Sequence, residues 1–186
     1  MKNLRVCALV LPLLFLAAPA GAAGKPAPAA PHPVPKEIHL RHLGGAGEWQ
    51  AYAFREKSGP VCYLVGSPIK TEPKALKRKR PVAMVTHRPD EHVFNVVSFT
   101  EFYPLKSGSD VSLDVGGTDF DLFSHGDTAW SRSSDTDKTI VEGMAKGREA
   151  IVKATPRKGP QTADTYSLIG FTKALSLIDK ACGVER

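Results

Sequence analysis

The stretch DVSLDVGGTDFDLF, residues 110–123, decides the fold class. Gly116-Gly117 suits a two-residue hairpin turn, because both central positions of that turn take positive φ. Folding the segment about these glycines sets Val115 against Thr118, Leu113 against Phe120 and Val111 against Leu122. The apolar partners then fall on one face, as the period of two along a strand requires. Asp114 and Asp119 meet on the opposite, polar face, and Ser112 faces Asp121. Like charges directly across a ladder disfavour pairing, although water screens exposed carboxylates strongly. A hard cation such as Ca²⁺ would relieve them, but the spacing is no EF-hand, so a solvated sheet face is the simpler reading.

Outward from this hairpin the chain continues as short runs rich in Val, Phe, Tyr and Thr, separated by turn residues. Strands are expected at 49–56, 61–66, 82–87, 93–102, 110–115, 118–123, 128–132, 149–155 and 162–168, with turns at Gly59-Pro60, Ser107-Gly108 and Gly159-Pro160. Two helices interrupt them. One is expected over 136–146, with Ile140 and Met144 one turn apart and Gly147 as its stop. The other is expected over 171–182. There Phe171, Ala174, Leu175, Ile178 and Cys182 form one apolar stripe, and Thr172, Lys173, Ser176, Asp179 and Lys180 occupy the other face.

The 186-residue chain is 42% hydrophobic, enough for a packed core, and carries a formal charge of +6. Residues 1–23 read as a secretory signal peptide: Lys2 and Arg5 ahead of an apolar run from Val6 to Ala17, then small residues with a cleavage site at Ala18-Pro19-Ala20 or, as second choice, Gly21-Ala22-Ala23. The run is short for a bilayer span, so the product is not expected to be integral to the membrane after cleavage, with an uncleaved anchor as the competing reading. Loss of Lys2 and Arg5 leaves a charge of about +4, which favours anionic surfaces without demanding nucleic acid. Residues 24–43 form a Pro/Ala-rich linker and weakly periodic lead-in, and the domain is placed at 44–186.

Cys7 leaves with the leader, so Cys62 and Cys182 remain. An even count in an oxidising compartment favours a disulfide, with two free buried thiols as the competing reading. Cys182 lies on the apolar stripe of the last helix and Cys62 in the strand VCYLV, so a bond would staple helix to sheet.

Several segments resemble the invasion-associated locus B family of bacterial envelope proteins. They are GEWQAYAF (47–54), Val61-Cys62-Tyr63, AMVTHRP (83–89), NVVSF (95–99), GDTAW (126–130) and DTYSLIGFTKALSLIDKACG (164–183). The resemblance implies an immunoglobulin-like β-sandwich with a C-terminal helix, export to the periplasm or beyond, and for some members a link to host-cell entry. It brings no catalytic residues. It marks His87 and Arg88 as a recognition-surface candidate.

Lys74, Lys77, Arg78, Lys79 and Arg80 lie between Pro73 and Pro81. They are the candidate contact for an anionic envelope or host component, weighed against a solvated loop that discourages edge-to-edge pairing. No aromatic residue interleaves them, so a nucleic-acid platform is not expected. His87 ends a strand, and a periplasmic enzyme built on it is the alternative reading, against a strand-end histidine bonded to a loop. His39 and His42 lack companions for a metal set. Neither a cofactor nor a metal is expected, and no hydrolase, zinc-protease or phosphate-loop motif is present. The expected function is that of a non-enzymatic envelope or secreted interaction module, with a cation-stabilised structural protein as a further alternative.

Overall fold

Alternation of buried and half-exposed residues runs through nearly every strand, and it fixes which side faces the core. The computed structural model describes residues 39–74, 78–109 and 111–186. The signal-peptide expectation, Cys7 and most of the linker lie outside the described residues. Eleven strands are present among the described residues: β1 (Arg41–Ala46), β2 (Trp49–Glu56), β3 (Gly59–Gly66), β4 (Lys70–Glu72), β5 (Val82–Arg88), β6 (Val93–Thr100), β7 (Val111–Val115), β8 (Thr118–His125), β9 (Thr128–Trp130), β10 (Glu149–Ala154) and β11 (Thr162–Ser167). Helix α1 (Ser134–Lys146) precedes β10, and α2 (Phe171–Cys182) closes the domain.

All pairings between these strands are antiparallel, in the order β1-β2-β3-β5-β6-β9-β8-β7-β10-β11-β4. Strand β8 joins the two halves: its first five residues pair with β7 and its last three with β9. At the other corner, Ser67–Ile69 carry the chain directly from β3 into β4, the far end of the order. The inner faces of the two halves therefore meet. Trp49 of β2 donates its indole N–H to the Ser167 carbonyl of β11 at 2.8 Å, and Phe99 of β6 packs edge-on against Tyr166 of β11 at 5.7 Å.

The central hairpin has the register expected for it, with Val111 opposite Leu122, Leu113 opposite Phe120 and Asp114 opposite Asp119. Gly116 and Gly117 take φ of 59° and 89°, which a side chain would resist. Asp114 is committed to the turn, since its Oδ1 accepts the Gly117 N–H.

Two strands depart from expectation. Arg41–Leu43, assigned to the linker, belong to β1, so the folded domain begins before residue 44. Its Gly44-Gly45 reads as flexible in sequence, yet Gln50 lies across Gly45 where a Cβ would clash. Glycine here admits a neighbouring side chain at a sheet edge. Strand β4 is only three residues long, and its ladder comes from β11. The nine strands expected thus become eleven among the described residues. Gly59-Pro60 stands at the start of β3 rather than in a turn.

Helix α1 begins two residues earlier than expected, because Ser133 caps it by accepting the Thr136 N–H. Its Asp137 is buried and accepts the Val97 N–H of β6 at 2.8 Å. Strand β9 pairs only with Ser98–Thr100 of β6, so this aspartate satisfies a donor beyond the end of that ladder. The α2 stripe is buried as expected, with Phe171 edge-on to Trp49 at 4.9 Å. Cys182 is bonded to Cys62 across a sequence separation of 120.

Candidate functional site

Four of the five basic candidates are among the described residues, and they divide sharply; Lys77 lies outside. Arg78 is not a solvated loop residue. Its side chain is 7% exposed and reaches two fully buried carboxylates. Nη1 donates to Glu101 Oε2 at 2.5 Å, and Nη2 donates to both oxygens of Asp164 at 2.6 Å. Glu101 directly follows β6, and Asp164 lies in β11, so one guanidinium ties the two halves of the sheet together. The Tyr103 ring lies beneath it at 5.2 Å, and the Tyr103 hydroxyl donates to Glu101 and shares a 2.6 Å bond with Thr162.

One positive charge faces two fully buried negative ones here. Burial, followed by the charge and hydrogen bonding of Asp164, pushes the Glu101 carboxyl up to about 7 despite the opposing pull of Arg78. An ionised Glu101 leaves Oε1 buried without a partner among the described residues. A protonated one can donate to Asp164. Because the folded value exceeds the unfolded one, the associated stability is complete below the unfolded pKa and is lost as pH rises through about 7. That loss amounts to roughly 3 kcal/mol when the shift is converted at 1.36 kcal/mol per unit. Urea denaturation of the wild type is expected to give a lower midpoint at pH 8 than at pH 5. In Glu101→Gln the component arising from this acid should vanish, and an identical pH dependence in both proteins would refute the assignment.

The remaining basic residues stay at the surface. Lys74 is exposed, Lys79 lies over the Phe102 ring at 5.7 Å, and Arg80 donates to the Pro68 carbonyl at 2.7 Å and to Glu48 at 3.3 Å. Residues 68–71 and 78–81 line an open cleft of about 330 Å³.

His87 is also placed differently from the strand-end expectation. It shares the inward face of β5 with Ala83 and Val85 and is fully buried. Its Nδ1 accepts the Asn95 N–H at 3.0 Å, which leaves Nε2 to donate to Asp179 at 3.0 Å. Both ring nitrogens are thereby used within the protein, so neither is open to a substrate. Asp179, expected on the polar face of α2, is buried four residues after Leu175 and three before Cys182. Burial pushes its carboxyl upward, but hydrogen bonds from His87 and Arg186 outweigh this and hold it below the usual range. Arg186 contributes at 2.6 and 3.0 Å and also reaches the Asn95 side chain. Cys62 stands opposite His87 in the ladder, so disulfide and histidine fasten the same face of α2. Arg88 points outward and pairs with Glu56 at 2.7 Å and Glu91 at 3.5 Å.

Sequence reasoning passed over Glu101, Asp164, Tyr103, Asp179 and Arg186. Asp164 carried a readable signal: it alternates with Thr162 and Tyr166, and a carboxylate on that inward face demands a counter-charge.

The sequence profile of the invasion associated locus B (IalB) proteins matches residues 49–179, which span β2 to the His87-bound Asp179 of α2. The chain belongs to this IalB family. Its fold resembles the crystal structure of invasion associated protein B from Bartonella henselae, with a TM-score of 0.55 and 17% identity, over 73% of this chain and 93% of that one. Two curated relatives, probable dipeptidyl-aminopeptidases B from Sordaria macrospora and Neurospora crassa, are each 25% identical over 115 residues. That match takes in 60% of the IalB-family chain but only 11% of the length of either relative. Among the described residues of the IalB-family chain, no helix is long and apolar enough to cross a membrane.

Proposed function

We propose that this IalB-family protein is an exported, non-enzymatic envelope module on an immunoglobulin-like scaffold. In this reading it contributes to host-cell association by binding an anionic component through its basic cleft. The carrying observation is how the reactive groups are used. Glu101 and Asp164 are buried and share Arg78, and His87 is buried against Asp179, whereas Lys79 and Arg80 line the cleft at the surface and Lys74 is exposed. Buried charges held by counter-charges from other elements serve the fold, while exposed cations attract anions over about a Debye length. The leader read in residues 1–23 and the family's association with invasion support an envelope or extracellular setting.

A photo-crosslinking residue placed at position 79 in the native envelope tests the reading. It should capture one reproducible partner, with yield falling as salt rises. The triple variant Lys74→Ser/Lys79→Ser/Arg80→Ser, with the crosslinker moved to Thr71, should lose that adduct. Undiminished capture in the triple variant would exclude the cleft as the contact.

A further inference from the structure

Arg78 belongs to two places at once. It lines the cleft beside Lys79 and Arg80, and its guanidinium reaches inward to Glu101 and Asp164, both fully buried. Part of the cleft's lining is therefore the outer side of the charged core. The charge presented across that boundary depends on one proton. With both carboxylates ionised, the guanidinium and its two partners sum to −1. With one proton added, they sum to zero.

Geometry favours holding that proton. Two carboxylates without solvent contact share a single guanidinium, and Glu101 Oε1 has no hydrogen-bond partner among the described residues. Like charges in one buried site do not both ionise readily. Burial and the Asp164 charge raise the Glu101 carboxyl to about 7, so the proton is exchanged near neutrality. The other groups facing it keep their protons there. Burial works against the Arg78 charge, but the bonds to Asp164 and Glu101 outweigh it and raise the guanidinium further. Burial likewise raises the phenols of Tyr103 and of Tyr166 in β11. Asp164 itself is the carboxylate with which Glu101 shares its hydrogen bond.

We infer that the cleft takes up an anion together with a proton: an anion held by Lys79 and Arg80 keeps Glu101 neutral, and ionisation of Glu101 weakens the anion's hold. This rests on the reading of the cleft as the anion contact. The coupling is Coulombic and reciprocal. A negative ligand in front of Arg78 disfavours a second uncompensated charge behind it, and by linkage that charge disfavours the ligand by the same factor. One unit charge about 10 Å away, at effective dielectric constants between ~20 and ~80, changes affinity roughly 2- to 15-fold. The buried core thus sets the strength of a surface contact without being exposed to it.

Titration of the full protein with dextran sulfate, whose charge is constant from pH 5.5 to 8.5, tests this. Histidine also gains charge as pH falls, so the decisive comparison is with Glu101→Gln, which stays neutral throughout. At pH 5.5 the two proteins should bind equally. At pH 8.5 Glu101→Gln should bind roughly 2- to 15-fold more tightly than wild type. Calorimetry near pH 7, in buffers of different ionisation enthalpy, should show the wild type taking up more protons on binding than the variant does. Circular dichroism checks the fold; Asp164→Asn, which also removes one of the paired charges, stands in if Glu101→Gln does not fold. Equal binding by wild type and variant at pH 8.5, with equal proton uptake, overturns the inference and leaves the cleft as the contact. Absence of binding at either pH, or binding undiminished in Lys79→Ser/Arg80→Ser, overturns the cleft reading and the inference together.

Discussion

Arg78→Met is expected to unfold at a much lower urea concentration than the wild type, with about 3–5 kcal/mol of stability lost at pH 8. Methionine fills much of the arginine's volume, so the cost is electrostatic. Glu101 and Asp164 would both be left fully buried without their shared counter-ion. Since domains of this size are stable by only about 5–15 kcal/mol, the variant should be marginal at room temperature. Two further measurements identify the cause. At pH 5 the loss should shrink, because Glu101 already holds a proton there. The triple variant Arg78→Met/Glu101→Gln/Asp164→Asn should recover most of the stability, because a buried ion cluster replaced by neutral groups of like shape costs little. An Arg78→Met protein as stable as wild type would show that the cluster does not anchor the two halves.

Replacing both Cys62 and Cys182 with serine is expected to cost a comparable amount. The bond closes a loop of 120 residues, for which the chain-entropy relation gives roughly 4–5 kcal/mol. Part of the tether survives without it, because Asp179 and His87 still join α2 to β5. The double variant should therefore remain folded at low temperature, with a lower midpoint in urea. Mass spectrometry of the non-reduced wild type should find no alkylatable thiol at positions 62 and 182. Two alkylatable thiols there, or an unchanged midpoint in the variant, would remove the covalent basis of this fold.

Local periodicity made much of this architecture readable. The hairpin register from Val111 to Leu122 and the buried stripe from Phe171 to Cys182 each follow from spacings within a few residues, where geometry leaves little choice. The edges were not readable. Strand β1 is held by glycines that lack strand propensity, and β4 is three residues whose pairing is set by β11, nearly a hundred residues away in sequence.

The charged core was hidden for the same physical reason. Arg78 looks like its neighbours Lys79 and Arg80, and only partners 23 and 86 residues distant distinguish it. His87 and Asp179 were nearer to legibility. Extending the inward series Ala83, Val85 by one step places the histidine inside. Counting four residues from Leu175 places the aspartate on the helix's buried side. In both cases a polar residue was assigned outward by its chemistry when its phase pointed inward.

The bond between β3 and α2 also sets how the domain would carry tension. A pull applied at Arg41 and at the C-terminus passes from the helix straight into Cys62, and the 120-residue loop bears none of it. Only the segment before Cys62 can be drawn out. Its roughly 20 residues extend by no more than ~70 Å, while the hairpin, the charged core and the β4 edge stay slack. Such a domain would yield a short, fixed length under load and keep most of its surface intact.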